Sequence, residues 1–317
     1  MNTCRICRCS DDHPLFTARE MMFGFRDSFT YFECTNCGCV QIERVPDDLG
    51  KYYPNHYYSF QTPGRIAAFL KEQRVRHAFY HTGLIGALMS WCLGSQPAID
   101  SVRRVQPRFD AAILDVGSGN GELLGFLASV GFNDLTGTDP FLASDVTTRT
   151  GIKLLKGELG QIDRQFDLVM MHHTFEHSVE PIRMVGEIKR AMRPGAVAIL
   201  RVPVADCYAW KTYGTNWVAL DPPRHICVPT VRSMTMLCKE HGLRFGQVVH
   251  DANEFQFWGS EQCTDDIALV DPRSYAHPRN RWKLALPSQR MRAYRARAAE
   301  LNAAGQGDCA CFYFHND

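Results

Sequence analysis

The sequence has no long hydrophobic segment and no marked excess of charge of either sign. Its longest apolar run, Leu84 to Leu93, is about half the length of a membrane-spanning helix, so we expect a packed core helix there. Lysine and arginine number 35 and aspartate and glutamate 34, so no overall field attracts nucleic acid or an anionic membrane. The polar stretch from Met1 to Cys9 lacks the apolar core of a signal peptide. We therefore expect no membrane span and no nucleic-acid partner.

Cysteine, in contrast, is abundant, at 13 of 317 residues. The arrangement argues against a secreted disulfide framework, because six cysteines lie in two similar clusters near the N-terminus and the other seven are scattered. Scattered cysteines of this kind are typical of buried thiols. A reducing, cytoplasmic environment fits this arrangement best.

The two clusters each contain a C-x-x-C pair, and 26 residues separate the pairs. That spacing is long enough for a hairpin, which would bring four thiolates into the tetrahedral geometry that zinc prefers. We predict a zinc-ribbon-like module in residues 1–60, in which metal binding supplies much of the folding free energy. A closed four-thiolate site leaves no position for a substrate, so its role is structural. The predicted ligands are Cys4, Cys7, Cys34 and Cys37.

A further cysteine, Cys9 or Cys39, lies two residues beyond each pair. Because zinc needs only four ligands, we favour bystander roles for both, with spare ligands or a second metal site as the alternatives. A redox role for either C-x-x-C pair is disfavoured, since no thioredoxin-like strand and helix surround it.

The most informative stretch is I-L-D-V-G-S-G-N-G, which begins at Ile113. It predicts a buried strand and a tight turn, followed by an apolar helix. Glycines let the backbone approach a ligand closely. A dinucleotide fingerprint would place glycine at 122, where Glu122 stands, and Asp115 would repel a phosphate. The pattern therefore favours a cationic ligand without phosphates. The turn contains Gly117, Gly119 and Gly121.

This loop resembles the D-x-G-x-G-x-G signature of class I S-adenosylmethionine-dependent methyltransferases. The resemblance implies S-adenosylmethionine as cofactor, bound by the glycine turn and Asp115. The next strand, residues 134–139, ends in Asp139, where an acid is placed to accept hydrogen bonds from a ribose diol. Glu158 follows the third strand and is expected to border the adenine. His172 ends the fourth strand and is expected to contact the cofactor, or else to be a core residue.

The order of predicted elements continues this pattern. Residues 166–171 form a fourth strand, residues 181–192 an amphipathic helix and residues 196–202 a fifth strand. Strands that alternate with helices at this spacing predict an α/β fold, with a Rossmann-like, doubly wound and mostly parallel sheet. Its ligand is expected at the carboxyl ends of the strands.

We divide the rest of the chain into a helical linker, residues 61–110, and a methyltransferase domain, residues 111–317, with an insertion at about 264–304. Residues 271–300 contain eight lysines and arginines but only two acids. A solvated helical face is the favoured interpretation. Recognition of a phosphate or of a nucleotide-sugar diphosphate is the alternative.

The segment N-W-V-A-L-D-P-P-R-H, residues 216–225, resembles the substrate-side loop of bacterial methyltransferases from sugar and polysaccharide clusters. Those enzymes also carry an N-terminal cysteine-rich zinc module. Residues 305–314 resemble their last strand, which implies antiparallel pairing beside residues 245–250. The resemblance implies a sugar or nucleotide-sugar acceptor in polysaccharide biosynthesis. Sugar C-methyltransferases have an additional C-terminal domain and a clear Tyr and Glu-His motif, which are not evident here, so O-methylation is favoured.

Methylation of a hydroxyl needs a group that takes its proton, and histidine is the usual choice near neutral pH. Three histidines compete for this role: His173, His177 and His225. We favour His225, because it lies on the acceptor-side loop. The alternatives are core or cofactor contacts for the strand-end histidines and a backbone hydrogen bond for His225.

Three further residues are assigned to the acceptor. Trp217 is expected to form an apolar wall against a sugar face, and Arg224 to hold an anionic part of the acceptor. Tyr57, in the tyrosine-rich run of residues 52–58, is expected to belong to a lid over the pocket. A hinge that packs aromatic rings between two domains is the alternative for this run.

Two other functions remain open. The methyl group can instead go to carbon beside a keto group, or the protein can bind S-adenosylmethionine without catalysis. The intact glycine turn, Asp139 and His225 argue against a degenerate site. Modification of nucleic acid is disfavoured by the near-neutral charge.

Overall fold

The N-terminal cysteine pairs lie in turns between short strands. The computed structural model describes residues 1–53, 65–93, 96–280, 282–285 and 288–317. Strand β1 pairs with β2, and β4 pairs with both β3 and β5, always antiparallel. One C-x-x-C pair therefore lies between β1 and β2 and the other between β4 and β5. The strands are β1 (Asn2–Thr3), β2 (Ser10–Asp11), β3 (Leu15–Arg19), β4 (Ser28–Glu33) and β5 (Val40–Ile42).

Three helices follow, α1 (Arg65–Tyr80), α2 (Leu84–Leu93) and α3 (Pro97–Val105). The apolar run forms α2, which packs against α1. Leu84, however, is 90% exposed, and Ile85 and Leu88 are about half exposed. The expectation of a buried core helix is therefore wrong for this face of α2. Across the described parts of the chain, every helix is too short or too polar to cross a membrane.

The central sheet begins with the strand that precedes the glycine turn. This strand is buried at all five positions, because its apolar run suits a strand covered on both faces. The elements are β6 (Ala112–Val116), α4 (Glu122–Ser129), β7 (Asp134–Asp139), β8 (Val146–Thr147), β9 (Lys153–Lys156), β10 (Phe166–His172), α5 (Pro181–Ala191) and β11 (Met192–Pro203). Strands β9, β7, β6, β10 and β11 are parallel neighbours in that order.

The C-terminal part completes both sheets. Strand β14 pairs antiparallel with β11 and with β13, which confirms the pairing expected beside residues 245–250. Strand β12 pairs with β5, so a segment that follows the central strands joins the N-terminal sheet. The elements are α6 (Tyr208–Tyr213), β12 (Cys227–Val228), α7 (Val231–Glu240), β13 (Arg244–His250), α8 (Phe255–Thr264), α9 (Trp282–Ala285), α10 (Gln289–Ala303) and β14 (Cys309–His315).

The eight-stranded order, β13-β14-β11-β10-β6-β7-β9-β8, confirms the predicted Rossmann-like, mostly parallel sheet. The carboxyl ends of β6, β7, β9 and β10 meet at one edge, which is where such sheets bind ligands. One apolar core runs from this sheet into the N-terminal strands, since Tyr31 and Val40 pack in the same buried cluster as Val204 and Ile226. The N-terminal strands are thereby held against the ligand edge.

Candidate functional site

The glycine turn after β6 is shaped by close backbone contacts. Gly117 and Gly121 have positive φ angles, of 75° and 78°. A Cβ on Gly117 would lie 2.3 Å from Oγ1 of Thr174, and one on Gly121 would lie 2.8 Å from a methyl carbon of Leu154. Both positions therefore require glycine for conformation and for space. Gly117 also donates its amide hydrogen to the carbonyl oxygen of Thr138 at 2.8 Å, which fixes the turn to β7.

Two buried carboxylates lie beside this turn. Asp139 accepts hydrogen bonds from the amides of Gly119 and Phe141, both at 2.9 Å. A carboxylate has four lone-pair positions, so Asp139 retains capacity for a ribose diol. Burial, followed by the repulsion from Asp139, raises the pKa of Asp115 to about 8. A cationic ligand would relieve this repulsion, so the residues present fit S-adenosylmethionine.

The other two predicted cofactor residues differ in environment. His172, at the end of β10, has both ring nitrogens buried without a hydrogen-bond partner. Burial, followed by the charge of Arg201, lowers the pKa of His172 to about 3, so the ring is neutral. Glu158 lies just after β9 with an exposed side chain, 3.9 Å from Arg183. These positions lie along the ligand edge, and their contact with a cofactor stays a prediction.

A second group of side chains lies at the same edge, where the chain turns after β10. Glu176 and His177 belong to a 3-10 turn, Phe175–His177, and His225 belongs to the loop before β12. The amide of Ile226 donates to the carbonyl oxygen of Glu176 at 2.8 Å and so holds the loop against the turn. We call Glu176, His177 and His225 the Glu–His–His cluster.

The two imidazole rings of the cluster have fixed orientations. Nδ1–H of His225 donates to the carbonyl oxygen of Ala219 at 2.7 Å, and Nδ1–H of His177 donates to that of Arg224 at 2.8 Å. Because a carbonyl oxygen can only accept, the lone pair of each neutral ring is on Nε2. The rings are 4.8 Å apart, and Nε2 of His225 lies 3.9 Å from Oε1 of Glu176.

Glu176 is fully buried. Its Oε1 accepts a hydrogen bond from Nδ1 of His173 at 3.2 Å, and its Oε2 has no partner. Burial raises the pKa of Glu176, but the His173 hydrogen bond and the nearby histidines outweigh burial and lower it to about 2. Burial, followed by His177, lowers the pKa of His225 to about 4. At neutral pH the carboxylate is therefore ionised and His225 is neutral.

His173, one of the three histidines considered for the acceptor proton, is bonded on both sides. Arg201 donates to Nε2 of His173, which leaves Nδ1–H for Glu176. Both ring nitrogens are thus engaged, so this geometry contradicts proton removal from an acceptor by His173. Arg201 is itself held by Asp251 through two hydrogen bonds, at 2.7 and 2.9 Å. His173 positions the Glu176 carboxylate.

A tyrosine connects the two halves of the site. The hydroxyl of Tyr53 lies 3.1 Å from Nδ1 of His177, and the Tyr53 ring stacks on Phe141 with 6.1 Å between centroids. Phe141 donates its amide to Asp139, so Tyr53 spans from the cofactor edge to the cluster. The tyrosine run signalled this position, but we singled out Tyr57, which lies outside the described residues.

Comparison with known proteins indicates a class for the domain that contains this edge. Residues 95–248 match the family model described as a methyltransferase domain. This span contains the glycine turn, Asp139 and the Glu–His–His cluster. This likeness supports methyl transfer as the class of activity. A search of curated proteins gave no match.

Solved structures with a similar fold have low sequence identity. A methyltransferase from Mesorhizobium loti is 15% identical, with a TM-score of 0.45, and the alignment covers 70% of this chain and 99% of that one. Coclaurine N-methyltransferase, bound to N-methylheliamine and S-adenosylhomocysteine, is 11% identical, with a TM-score of 0.43 and coverage of 80% and 90%. A putative methyltransferase in complex with the Haloferax volcanii Trm112 activator is 13% identical, with a TM-score of 0.44 and coverage of 81% and 99%. Their substrates and partners do not carry over to this chain.

Arg224 is not available to an acceptor. Its side chain is fully buried and pairs with Glu20 and Asp221, and it also donates to the carbonyl oxygen of Tyr52 at 3.1 Å. All three guanidinium nitrogens are therefore engaged. The structure contradicts the expected contact with an anionic acceptor. Arg224 instead ties the acceptor-side loop to the N-terminal module.

Trp217 is also a structural residue. It is 1% exposed, and its Nε1–H donates to Oδ2 of Asp308 at 2.9 Å. Its ring lies 6.3 Å from that of Trp210, inside the core shared by the two sheets. The expectation of an open apolar wall for a sugar is therefore wrong, since the indole is covered by protein.

The four predicted zinc ligands converge in the N-terminal module. The Sγ atoms are 3.6 Å apart for Cys4 and Cys37 and 3.5 Å apart for Cys7 and Cys34. All four lie within 4.8 Å of one another. Tetrahedral zinc with bonds near 2.3 Å places its sulfurs about 3.8 Å apart, so the donor set fits zinc. Gln41 donates to Sγ of Cys4 at 2.8 Å, the kind of outer contact that supports a thiolate ligand.

The extra cysteines lie outside this four-thiolate group. Cys39 is buried with its Sγ 3.3 Å from that of Cys227, across the pairing of β5 and β12. Cys9 lies near His13 and Cys34, in a group that shares one thiol with the zinc ligands. This placement supports the bystander interpretation for Cys39 and leaves Cys9 as a candidate to be tested.

The basic helix of the insertion is α10, and three of its four arginines have acidic partners. Arg290 pairs with Glu261, and Arg295 donates to Glu254 at 2.9 Å. Arg297 donates to a glutamate three residues further along the same helix, at 2.8 Å. Glu254 and Glu261 lie at the start and in the body of α8, so these pairs fix α10 to α8. They support the solvated-face interpretation over recognition of a phosphate.

Proposed function

We propose that the protein is an S-adenosylmethionine-dependent methyltransferase, which transfers a methyl group to a hydroxyl of a small sugar or nucleotide sugar in polysaccharide or glycan biosynthesis. The observation that carries the proposal is the Glu–His–His cluster, which lies at the ligand edge beside the cofactor residues. One ring nitrogen of each histidine and a carboxylate oxygen of the buried Glu176 lie within 4.8 Å of one another there. A hydroxyl placed against this cluster meets groups that can accept its hydrogen or bind its oxygen. The likeness of residues 216–225 to sugar methyltransferases supports a sugar as acceptor.

The cofactor would lie across the glycine turn. In this arrangement Asp139 accepts from the ribose hydroxyls, Asp115 lies near the cationic methionine portion, and Glu158 borders the adenine. His172, whose ring nitrogens have no protein partner, is then available to a polar atom of the cofactor. Tyr53 covers the gap between the cofactor and His177. The four cysteines hold a structural zinc ion away from the chemistry.

Binding of the cofactor is expected to depend on the protonation of Asp115. Its pKa is raised from 3.8 to about 8 by burial and by Asp139, whereas a bound ammonium or sulfonium favours the ionised form. Affinity for S-adenosylhomocysteine, which retains the ammonium, should rise as the pH rises from 6 to 9, with proton release on binding below pH 8. Calorimetry in buffers of different ionisation enthalpy measures both effects. A pH-independent affinity without proton release would contradict this prediction.

The same pKa has the opposite effect on folding. A carboxyl group with a raised pKa in the folded state binds more protons there than in the unfolded chain, so stability falls as the pH rises from 3.8 towards 8. At pH 8, Asp115→Asn should therefore raise the melting temperature of the ligand-free protein by about 2–5 °C. It should also weaken S-adenosylhomocysteine binding by about 1–3 kcal/mol. The matched control is the exposed Asp110→Asn, which should change neither.

Product analysis tests the acceptor class. The enzyme is incubated with methyl-labelled S-adenosylmethionine and a panel of nucleotide sugars and free sugars, and the products are analysed by mass spectrometry and NMR. We expect a methyl ether on at least one sugar and no labelled nucleic acid. Label on a sugar carbon would show that the enzyme methylates carbon and not oxygen. Label only on nucleic acid or protein would overturn the proposed acceptor class.

A further inference from the structure

Three metal-binding side chains converge at the ligand edge, outside the cysteine site. One donor atom each from Glu176, His177 and His225 lies within 4.8 Å of the others. The donors come from two segments, the turn after β10 and the loop before β12, and the Ile226 amide holds these segments together. Glu176 is fully buried, and the His225 side chain is only 12% exposed. The cluster is therefore a built site and not a chance grouping of surface charges.

The tautomers of both rings leave Nε2 as the acceptor, and Nε2 of His225 lies 3.9 Å from Oε1 of Glu176. Each Nδ1–H is used by a backbone carbonyl, of Ala219 for His225 and of Arg224 for His177. Metal-binding histidines are usually fixed in this way, with the second ring nitrogen donating to a carbonyl or a carboxylate. The two Nε2 atoms are left as acceptors.

The carboxylate of Glu176 has an unpaired oxygen. His173 satisfies Oε1, but Oε2 is buried with no hydrogen-bond partner. A buried acceptor without a donor is costly, and the other oxygen, Oε1, also has the Nε2 lone pair of His225 3.9 Å away. The guanidinium of Arg224 does not compensate, because Glu20 and Asp221 occupy it. A cation bound among these acceptor atoms would stabilise them.

We propose that Glu176, His177 and His225 bind one divalent transition-metal ion, with an open coordination position towards the acceptor. Two imidazoles and a carboxylate suit zinc, iron, manganese or cobalt. Three protein ligands leave room for an exogenous oxygen, unlike the closed four-cysteine site. Tetrahedral ligands about 2.0–2.1 Å from zinc lie about 3.3 Å apart, so donor atoms that now lie within 4.8 Å of one another come closer together to bind.

The metal site deepens the proposed function. The site itself does not depend on that function, and only the identity of the oxygen bound at the open position rests on it. A hydroxyl bound at the open position becomes more acidic and gives its proton to solvent. Its oxygen then attacks the methyl carbon of the sulfonium. The carbon–sulfur bond breaks as the carbon–oxygen bond forms, and S-adenosylhomocysteine and a methyl ether result.

Cobalt titration of the metal-depleted, full-length protein tests the site. We expect two equivalents to bind. One gives the intense thiolate charge-transfer absorption of the cysteine site, and the other gives only weak visible bands of nitrogen and oxygen ligands. Glu176→Gln and His225→Ala should each remove the second equivalent or weaken it about 100-fold and keep the thiolate band. Cys7→Ser should remove the thiolate band. His241→Ala, on the far end of α7 with its ring bonded to Leu237, is the matched control and should bind both.

A folding defect is separated from ligand loss by circular dichroism and by S-adenosylhomocysteine binding, which the cluster variants should retain. Only one equivalent in the wild-type protein, with a thiolate spectrum, overturns the metal site. If His225→Ala then also abolishes turnover, the histidine takes the proton directly. If two equivalents bind but no sugar is methylated, the metal site stands and the proposed acceptor fails.

Discussion

His225→Ala is expected to lower kcat by about 10²–10⁴-fold, the range for loss of a general base, because it removes either the base itself or a ligand of the proposed metal ion that makes the hydroxyl acidic. The reason is position: Nε2 of His225 faces Glu176 at 3.9 Å, and its ring lies 4.8 Å from His177. The affinity for S-adenosylhomocysteine should stay within about twofold, because Asp115 and Asp139 lie on the cofactor side. Steady-state kinetics and calorimetry on the same preparation check both parts.

The fold should tolerate this change. The main-chain carbonyl of His225 accepts from the hydroxyl of Tyr31 at 2.8 Å, and the next amide is bonded to Glu176, so backbone contacts hold the loop. His241→Ala serves as the control for loss of an imidazole elsewhere and should keep full turnover. If His225→Ala remains active while His177→Ala loses activity, the essential role belongs to His177. Wild-type activity in both variants would show that the cluster takes no part in the reaction.

Cys7→Ser is expected to remove one zinc ion per chain and to lower the melting temperature by about 10 °C or more, because metal binding supplies folding free energy to a small module. Loss of the zinc ion should also disturb the active site. Strand β5 of the module pairs with β12, directly after His225, and Tyr31 and Glu20 contact the same loop. Turnover should therefore fall with the metal. Elemental analysis, differential scanning calorimetry and the methyl-transfer assay measure the three effects.

Cys9→Ser is the matched control, since it removes a half-buried thiol two residues beyond the same pair. As a bystander, it should keep the zinc, the melting temperature and the turnover. If Cys9→Ser loses zinc and Cys7→Ser does not, Cys9 replaces Cys7 in the ligand set. A well-folded N-terminal module that binds no metal in the wild-type protein would contradict the zinc site altogether.

The sequence by itself determined the elements whose signals are local. The strand, glycine turn and helix of residues 112–129 follow from an apolar run, three glycines and helix-forming residues, and the structure has them at nearly the predicted bounds. The two C-x-x-C pairs are likewise local, and each needed only a hairpin turn to present its thiols. Asp139 was found by its spacing from the glycine turn. Neighbouring residues encode periodicity and turn chemistry, so these features can be read without the fold.

Only the tertiary structure decided the roles of the acceptor-side loop. Arg224 lies in a polar, proline-containing segment, which predicts an accessible side chain. It is instead buried and bonded to Glu20, which lies 204 residues away in the sequence. Glu176 and His225 are likewise distant in sequence, and their approach depends on the pairing of β12 with β5 and on the turn after β10. Long-range packing, together with the tautomers that backbone carbonyls impose, creates the convergence of the cluster. No spacing rule along the chain carries that information, because the contacts are set by which surfaces bury each other.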